Sequence, residues 1–295
     1  MRECGFNAVL FEAPIYEFVG LYDAIRSGTA EPSLLKNAVG RFWLTQELAP
    51  HRSWLYESAL SKRLLLGGLD DQVSVTSHYA RQKLPEMTPP ECKATVKRNL
   101  EWGYDDAQPF NALEKQRLQQ CAAMAAESKD VLLQNFKTYV ERQVTATNAR
   151  SRDEVMRDNL LWYVTQLPHG SKVIVWTATV HAARKQGQLT NKPLGEYLIA
   201  TSGSVVSIGF TALAGESSMA GRPATALPEL PATSLEARAT IGNAAWIFLD
   251  RERLQQFGRV PSRLLGRTVT ANWNEYFDGV VVIREEVAPQ FELWH

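Results

Sequence analysis

Three features of the sequence predict an α/β protein with a central mixed β-sheet flanked by helices. Short β-branched runs such as Asn7 to Phe11 (NAVLF) and Lys172 to Trp176 (KVIVW) end abruptly in small or acidic residues. Strands whose carboxyl ends carry polar groups read this way. Stretches with helical spacing and recognisable stops lie between them. A long, charged helical region then separates two strand-bearing parts. The expected organisation is an N-terminal part of the core over residues 1–84, an inserted helical module over 85–165 and a C-terminal part of the core over 166–295.

Composition narrows the function classes. With 45% hydrophobic residues the 295-residue chain can bury a full core, and 32 basic residues balance 32 acidic ones. A net charge of zero leaves no electrostatic footprint for nucleic acid or an acidic membrane surface, so neither is expected as a partner. The cysteines Cys4, Cys92 and Cys121 are scattered, without metal-ligand spacing, and fit a reducing cytoplasm. No spaced cluster of His and carboxylates suggests a metal, and no cofactor motif is present: both GxGxxG and GxxxxGK[ST] are lacking. A GxSxG elbow is also absent, which leaves a serine nucleophile of the α/β-hydrolase kind unsupported. No apolar run approaches membrane-spanning length, and the first residues lack a signal-peptide pattern.

The first strand, Asn7 to Phe11, runs into Glu12. A carboxylate directly after an apolar strand is either a working acid, or it pairs with an arginine at the strand end or lies in solvent. Helices are expected from Tyr16 to Ser27, stopped by Gly28, then over Pro32 to Leu44 and His51 to Leu60. Leu64 to Leu66 form a strand that enters a Gly67–Gly68 turn and then Asp70, Asp71 and Gln72. Asp70 and Gln72 are site candidates, with helix capping as the alternative for the aspartate.

The helical module opens at Pro89–Glu91 with a helix expected to end near Trp102 and Gly103. Helices over Asn111 to Ser128 and Lys129 to Ala149 follow. In the latter, Val131, Leu132, Asn135, Phe136, Tyr139 and Val140 share one face. The helix from Arg150 to Thr165 leads into the Val173–Trp176 strand, read as buried and central. Beyond it Thr177, Ala178 and Thr179 precede His181, a site candidate whose alternative is a hydrogen-bonded histidine at a strand-to-loop corner. In the last third, strands are expected over Val205 to Phe210, Ala244 to Leu249 and Phe277 to Ile283, with a long surface loop from Gly215 to Pro231. Asp278 is expected to fix the turn into the last strand.

Four blocks, RSRDEVMRDNLLWYV, KVIVWTATVHAAR, PLGEYLIATSGSVVSIGF and YFDGVVVIREEVAP, resemble in order and spacing the motifs of the erythromycin esterase family, which includes proteins of succinoglycan biosynthesis. AVLFEAP and LLLGGLDDQ fit upstream. The resemblance implies hydrolysis of an ester, such as a macrolide lactone, by water activated by His and Glu without a required metal. The implied substrate is a small-molecule ester or lactone, with macrolides and antibiotic resistance as the implied setting. Glu12 matches the family's glutamate, and His181 the second histidine of a strand-end motif. Arg152, Asp153 and Asn159 match the polar positions of the preceding helix. Glu12 and His181 are thus the catalytic candidates, and Asp70, Gln72, Arg152, Asn159 and Trp176 the substrate-binding ones.

Two departures accompany the resemblance. The family's Gly-Glu-x-x-His-Gly motif belongs before Cys4, so the chain is expected to start after it. Ala178 stands where the family has an active-site histidine, and alanine neither transfers a proton nor donates to an oxyanion. Impaired hydrolysis, or binding of a small molecule or glycan precursor without turnover, are the two expectations.

Overall fold

The computed structural model describes residues 4–73, 77–101, 110–144, 149–202, 204–239, 242 and 244–292, the side chains of residues 41 and 202 aside. It divides into two compact units, residues 1–44 with 48–176 and residues 45–47 with 177–295. Among the described residues no helix is long and apolar enough to cross a membrane.

Unit 1 is built on a parallel three-stranded sheet of order β2-β1-β3, with β1 Phe6–Pro14, β2 Leu65–Asp70 and β3 Lys172–Trp176. The first strand, not Lys172–Trp176, is central. Among the described residues β3 pairs only with β1 and none of its residues is fully buried, because an edge strand lacks a neighbour on one side. α1 Ile15–Ser27 ends on Gly28 in the left-handed conformation, as its position predicts. α2 Pro32–Trp43 and α3 Ala49–Leu60 complete one layer. Val9, Phe11, Phe18, Leu21, Leu35, Val39, Leu55 and Leu66 form its core.

Gly67 and Gly68 lie inside β2, not in a turn after it. A Cβ on Gly67 would stand 2.6 Å from Leu10 and from the Tyr163 ring, and one on Gly68 would stand 2.5 Å from the carbonyl oxygens of Ala13 and Pro14. Close approach, rather than chain reversal, requires glycine here. The outer edge of β2 is sealed by tyrosines: Leu66 N–H donates to Tyr22 Oη at 2.7 Å and Gly68 N–H to Tyr163 Oη at 3.3 Å. Burial pushes the Tyr22 phenol up to about 12, so it remains a neutral hydroxyl.

The helical module follows. α4 His78–Met87 carries Pro85 in its last turn and has no counterpart in the sequence reading. A 3-10 turn at Pro90–Cys92 leads into α5 Lys93–Glu101; the expected stop at residues 102 and 103 lies outside the described residues. α6 Ala112–Ala125 starts at a reciprocal cap between Asn111 and Glu114. α7 Val131–Val144 buries Leu132, Leu133, Asn135, Phe136, Tyr139 and Val140, close to the predicted face. α8 Arg152–Val164 packs on β2. Cys92 and Cys121, distant in sequence, are joined by a disulfide that ties the start of α5 to α6. This corrects the reading of scattered cysteines, and with it the ground for a reducing compartment, since such bonds persist where the surroundings are oxidising.

Unit 2 contains α9 Thr179–Ala182, α10 Leu194–Ser202, β4 Ile208–Ser217, β5 Thr225–Ala226, α11 Leu235–Arg238, β6 Trp246–Asp250, α12 Arg251–Phe257, β7 Arg259–Ser262, β8 Val269–Asn272 and β9 Gly279–Glu286. Its main sheet has order β5-β4-β9-β6, parallel between β4 and β9 and antiparallel elsewhere. β7 and β8 form a separate hairpin. β4 begins later and runs further than expected, and it pairs with β5, so part of the anticipated Gly215–Pro231 loop is sheet. One face of the main sheet is packed by Leu249, Val280, Val282, Leu264, Phe277 and Trp273.

Candidate active site

The carboxyl ends of β1 and β2 bring Glu12 and Asp70 to the same arginine. Arg152, in the first turn of α8, donates from Nη2 to Glu12 Oε1 at 2.9 Å. It also donates to Asp70 Oδ2 from Nη2 at 2.7 Å and from Nε at 3.0 Å. The Glu12 and Asp70 side chains are only 13% and 5% exposed. Burial opposes the charge on Arg152, but Asp70 and Glu12 outweigh it and hold the guanidinium well above its ordinary pKa. Of the readings of Glu12, its pairing with an arginine at the strand end is the one the geometry shows.

Asp70 also accepts from Gln72 N–H at 3.2 Å, a local turn that shapes the chain leaving β2. The Gln72 side chain is half-buried beside it. Asn159 is buried, donates to Leu69 O at 2.8 Å and exchanges hydrogen bonds with Asn135 at 2.6 and 2.8 Å. Its amide therefore holds the end of β2 in place, a positioning role that its place in the sequence pattern does not reveal. Asp153, next to Arg152, is buried as well.

Trp176 is 44% exposed and forms an aromatic wall beside the strand that carries Glu12. Its ring stacks on Phe11 at 6.2 Å and meets Trp43 edge-on at 5.9 Å. Trp43 Nε1 donates to Glu12 O at 3.0 Å, which fixes the indole. Trp43 and Asp71 were missed as site-forming residues. Trp43 is the last residue of α2, just beyond a break at Gly40, and Asp71 is one of two adjacent acids whose roles no spacing separates.

His181 belongs to unit 2, in the one-turn helix α9. That segment is tied down at several points. Thr179 Oγ1 accepts from Phe210 N–H at 3.1 Å on the free edge of β4, Ser207 Oγ donates to Ala182 O at 2.5 Å, and Arg184 pairs with Asp278. Asp278 also accepts from Ser207 N–H at 2.9 Å, so its side chain ties the start of β9 to the chain entering β4 and to Arg184, partners distant in sequence from the turn it was expected to fix. Ala178 caps α9 without a side-chain hydrogen bond. His51 and His78 are exposed, and His295 lies outside the described residues. No group of three or more metal-ligating side chains exists among the described residues.

Residues 66–286, about three quarters of the chain, match the family model described as erythromycin esterase. The chain belongs to the erythromycin esterase family. Glu12 precedes the matched segment, whereas Asp70, Arg152, Asn159 and His181 fall within it. Three solved structures share the fold of this family member. A succinoglycan biosynthesis protein has a TM-score of 0.71 at 16% identity over 99% of this chain and 82% of its own. A Bacillus cereus protein has 0.68 at 17% over 99% and 84%. A mutant of the erythromycin esterase EreC in its open conformation has 0.61 at 17% over 98% and 84%. No curated protein is a significant sequence match.

Proposed function

We propose that the protein hydrolyses a carboxylic ester or lactone of a small molecule, without a metal, by attack of a water that Glu12 activates or orients. What carries this reading is the Glu12–Arg152–Asp70 constellation at the carboxyl ends of parallel strands, in a member of the erythromycin esterase family. Ligands of open α/β sheets collect at such ends. Arg152 keeps its charge at every working pH and suits a carboxylate or a developing oxyanion. In this scheme Glu12 takes up or directs a proton of the attacking water. Trp176 offers a flat apolar surface to the substrate, and Gln72 a polar edge.

A second reading, binding without turnover of a small molecule or glycan precursor, is favoured by Ala178, which brings no proton-transferring group to the start of α9. Incubation with erythromycin, followed by mass spectrometry, separates the two. Hydrolysis adds one water to the macrolide, and Glu12→Gln is expected to slow it roughly 100-fold or more. Calorimetric binding with no mass change would instead establish the second reading. Macrolide resistance in a susceptible host is expected only in the first case.

A further inference from the structure

Glu236 is fully buried in unit 2, at the start of α11, and the proposed reaction makes no use of it. Its Oε1 accepts from Thr211 Oγ1 of β4 at 2.7 Å, from Ser262 Oγ of β7 at 2.7 Å and from Arg263 N–H at 3.1 Å. Among the described residues its Oε2 has no hydrogen-bond partner, although it is buried, and the same holds for Nε and Nη1 of Arg263. An acid and an arginine whose backbone already touches that acid leave their own ion pair unmade. This is costly, because a buried polar atom has lost its water without gaining a substitute.

The third nitrogen of the guanidinium shows what Arg263 does instead: Nη2 donates to Pro228 O at 2.6 Å. Pro228 lies in the strap between β4 and α11, which is held lightly. Residues 221–226 are exposed, and Leu227 and Leu230 are half-buried. β5, two residues long, pairs with Glu216 and Ser217. Leu227 N–H donates to Gly215 O at 2.9 Å and Ser218 Oγ to Pro289 O at 3.3 Å. Segments with so little buried apolar surface open most readily. A proline offers a carbonyl but no N–H, so Pro228 O is the group through which Arg263 ties the strap beyond β5. Glu286, the last residue of β9, also lies within reach of this charge: burial pushes its carboxyl up, and Arg263 draws it down.

We infer that Arg263 is a two-position latch on the strap Ser218–Pro231. With its guanidinium on Pro228 O the strap is docked, and with the guanidinium turned to Glu236 Oε2 the strap is released. The exchange trades one charge-assisted hydrogen bond for a buried ion pair, whose attraction is largely offset by desolvation, so the two positions lie close in free energy. Order-to-disorder switching of a segment rests on such near balance. Glu236 remains fixed in both positions, because Thr211, Ser262 and Arg263 N–H hold its other oxygen. Every partner belongs to unit 2 and none to the Glu12–Arg152–Asp70 constellation, so the latch does not depend on the proposed hydrolysis.

The test is hydrogen exchange of the full chain, read by mass spectrometry over residues 218–231, with the Leu227 amide as reporter and Val282 of the packed face as the control for global opening. Glu236→Gln keeps an oxygen for the three donors but removes the charge that competes for Arg263. Exchange at Leu227 is expected to slow by about threefold or more. Arg263→Met removes the tie itself and is expected to speed it roughly tenfold, with Val282 unchanged. In the double variant Glu236→Gln should add nothing, because the acid acts on the strap only through the arginine. A buried acid with a merely structural role would loosen the strap when altered, not tighten it. Should one single variant fail to fold, the other decides. Unchanged or faster exchange in Glu236→Gln overturns the inference, as does unchanged exchange in Arg263→Met or an effect of Glu236→Gln that persists without Arg263.

Discussion

The sheets of the two units solve the same burial problem in different ways. In unit 1 the central strand β1 is buried from Ala8 to Phe11 without alternation, as expected of a parallel strand covered on both faces. In unit 2 the main sheet buries one face only. On the other, Ile208 and Phe210 of β4 and Trp246 and Phe248 of β6 are exposed, with Phe210 at 57% and Trp246 at 59%. Registers explain the clustering: Phe210 and Phe248 both pair with Val281 of β9, so the two rings flank Val281 on the same face of the sheet. The lesson is that tight two-sided burial surrounds the acid constellation, while the larger exposed apolar surface lies elsewhere. Chemistry that depends on fixed carboxylates belongs with the rigid sheet.

The comparison breaks most directly at Gly68. Valine there would press into the carbonyl oxygens of Ala13 and Pro14, which are backbone and cannot rotate away. The expected loss is about 3 kcal/mol or more, measured by denaturant unfolding, with collapse of any Glu12-dependent activity. A Gly68→Val protein as stable as the parent would show that β1 and β2 do not approach this closely.

The next effect is that of the disulfide. Cys92→Ser with Cys121→Ser opens a loop with a sequence separation of 29 residues and is expected to cost roughly 3 kcal/mol. The same shift should appear in the parent on reduction. Two free thiols beyond that of Cys4 in the unreduced protein would contradict the pairing.

A smaller, pH-dependent effect comes from Glu17. Its carboxylate accepts from Tyr79 and Ala80 N–H at 3.2 and 3.1 Å and pins α4 to α1. Burial, only partly offset by these two bonds, pushes its pKa up to about 7. The folded state therefore holds the proton more tightly than the unfolded chain. The stabilisation is complete below the ordinary glutamate pKa and is lost as pH rises through 7. A decline of roughly 2 to 3 kcal/mol between pH 4.5 and 8 is expected, and Glu17→Gln should flatten it. Melting curves across that range decide the matter; an equal slope in the variant removes Glu17 as the cause.

The smallest effect is expected on the open face of unit 2. Phe210→Ser should change stability by less than about 0.5 kcal/mol, since little area is withdrawn from water there. Leu249→Ala, on the packed face of the same sheet, should cost about 2 to 5 kcal/mol. Equal costs at the two positions would mean that the exposed face is covered in solution.

Much was legible in the sequence. The α/β class, the strand before Glu12, the stop at Gly28 and the buried face of α7 each follow from local rules of spacing and capping. These rules act over a few residues, so the sequence alone determines them. Family membership was legible too, because four ordered blocks constrain each other. What only the tertiary structure decided involves partners far apart in the chain. Gly67 and Gly68 look like a turn until Leu10, Tyr163 and the Ala13–Pro14 backbone are brought against them. Cys92 and Cys121 look unpaired until α5 and α6 pack. β3 looks central, since hydrophobicity records burial but not the number of neighbours. Arg152 meets Glu12 across 140 positions and Asp70 across 82. No local pattern encodes which arginine will reach which acid, because that choice is made by the order of the strands and the packing of α8 on β2.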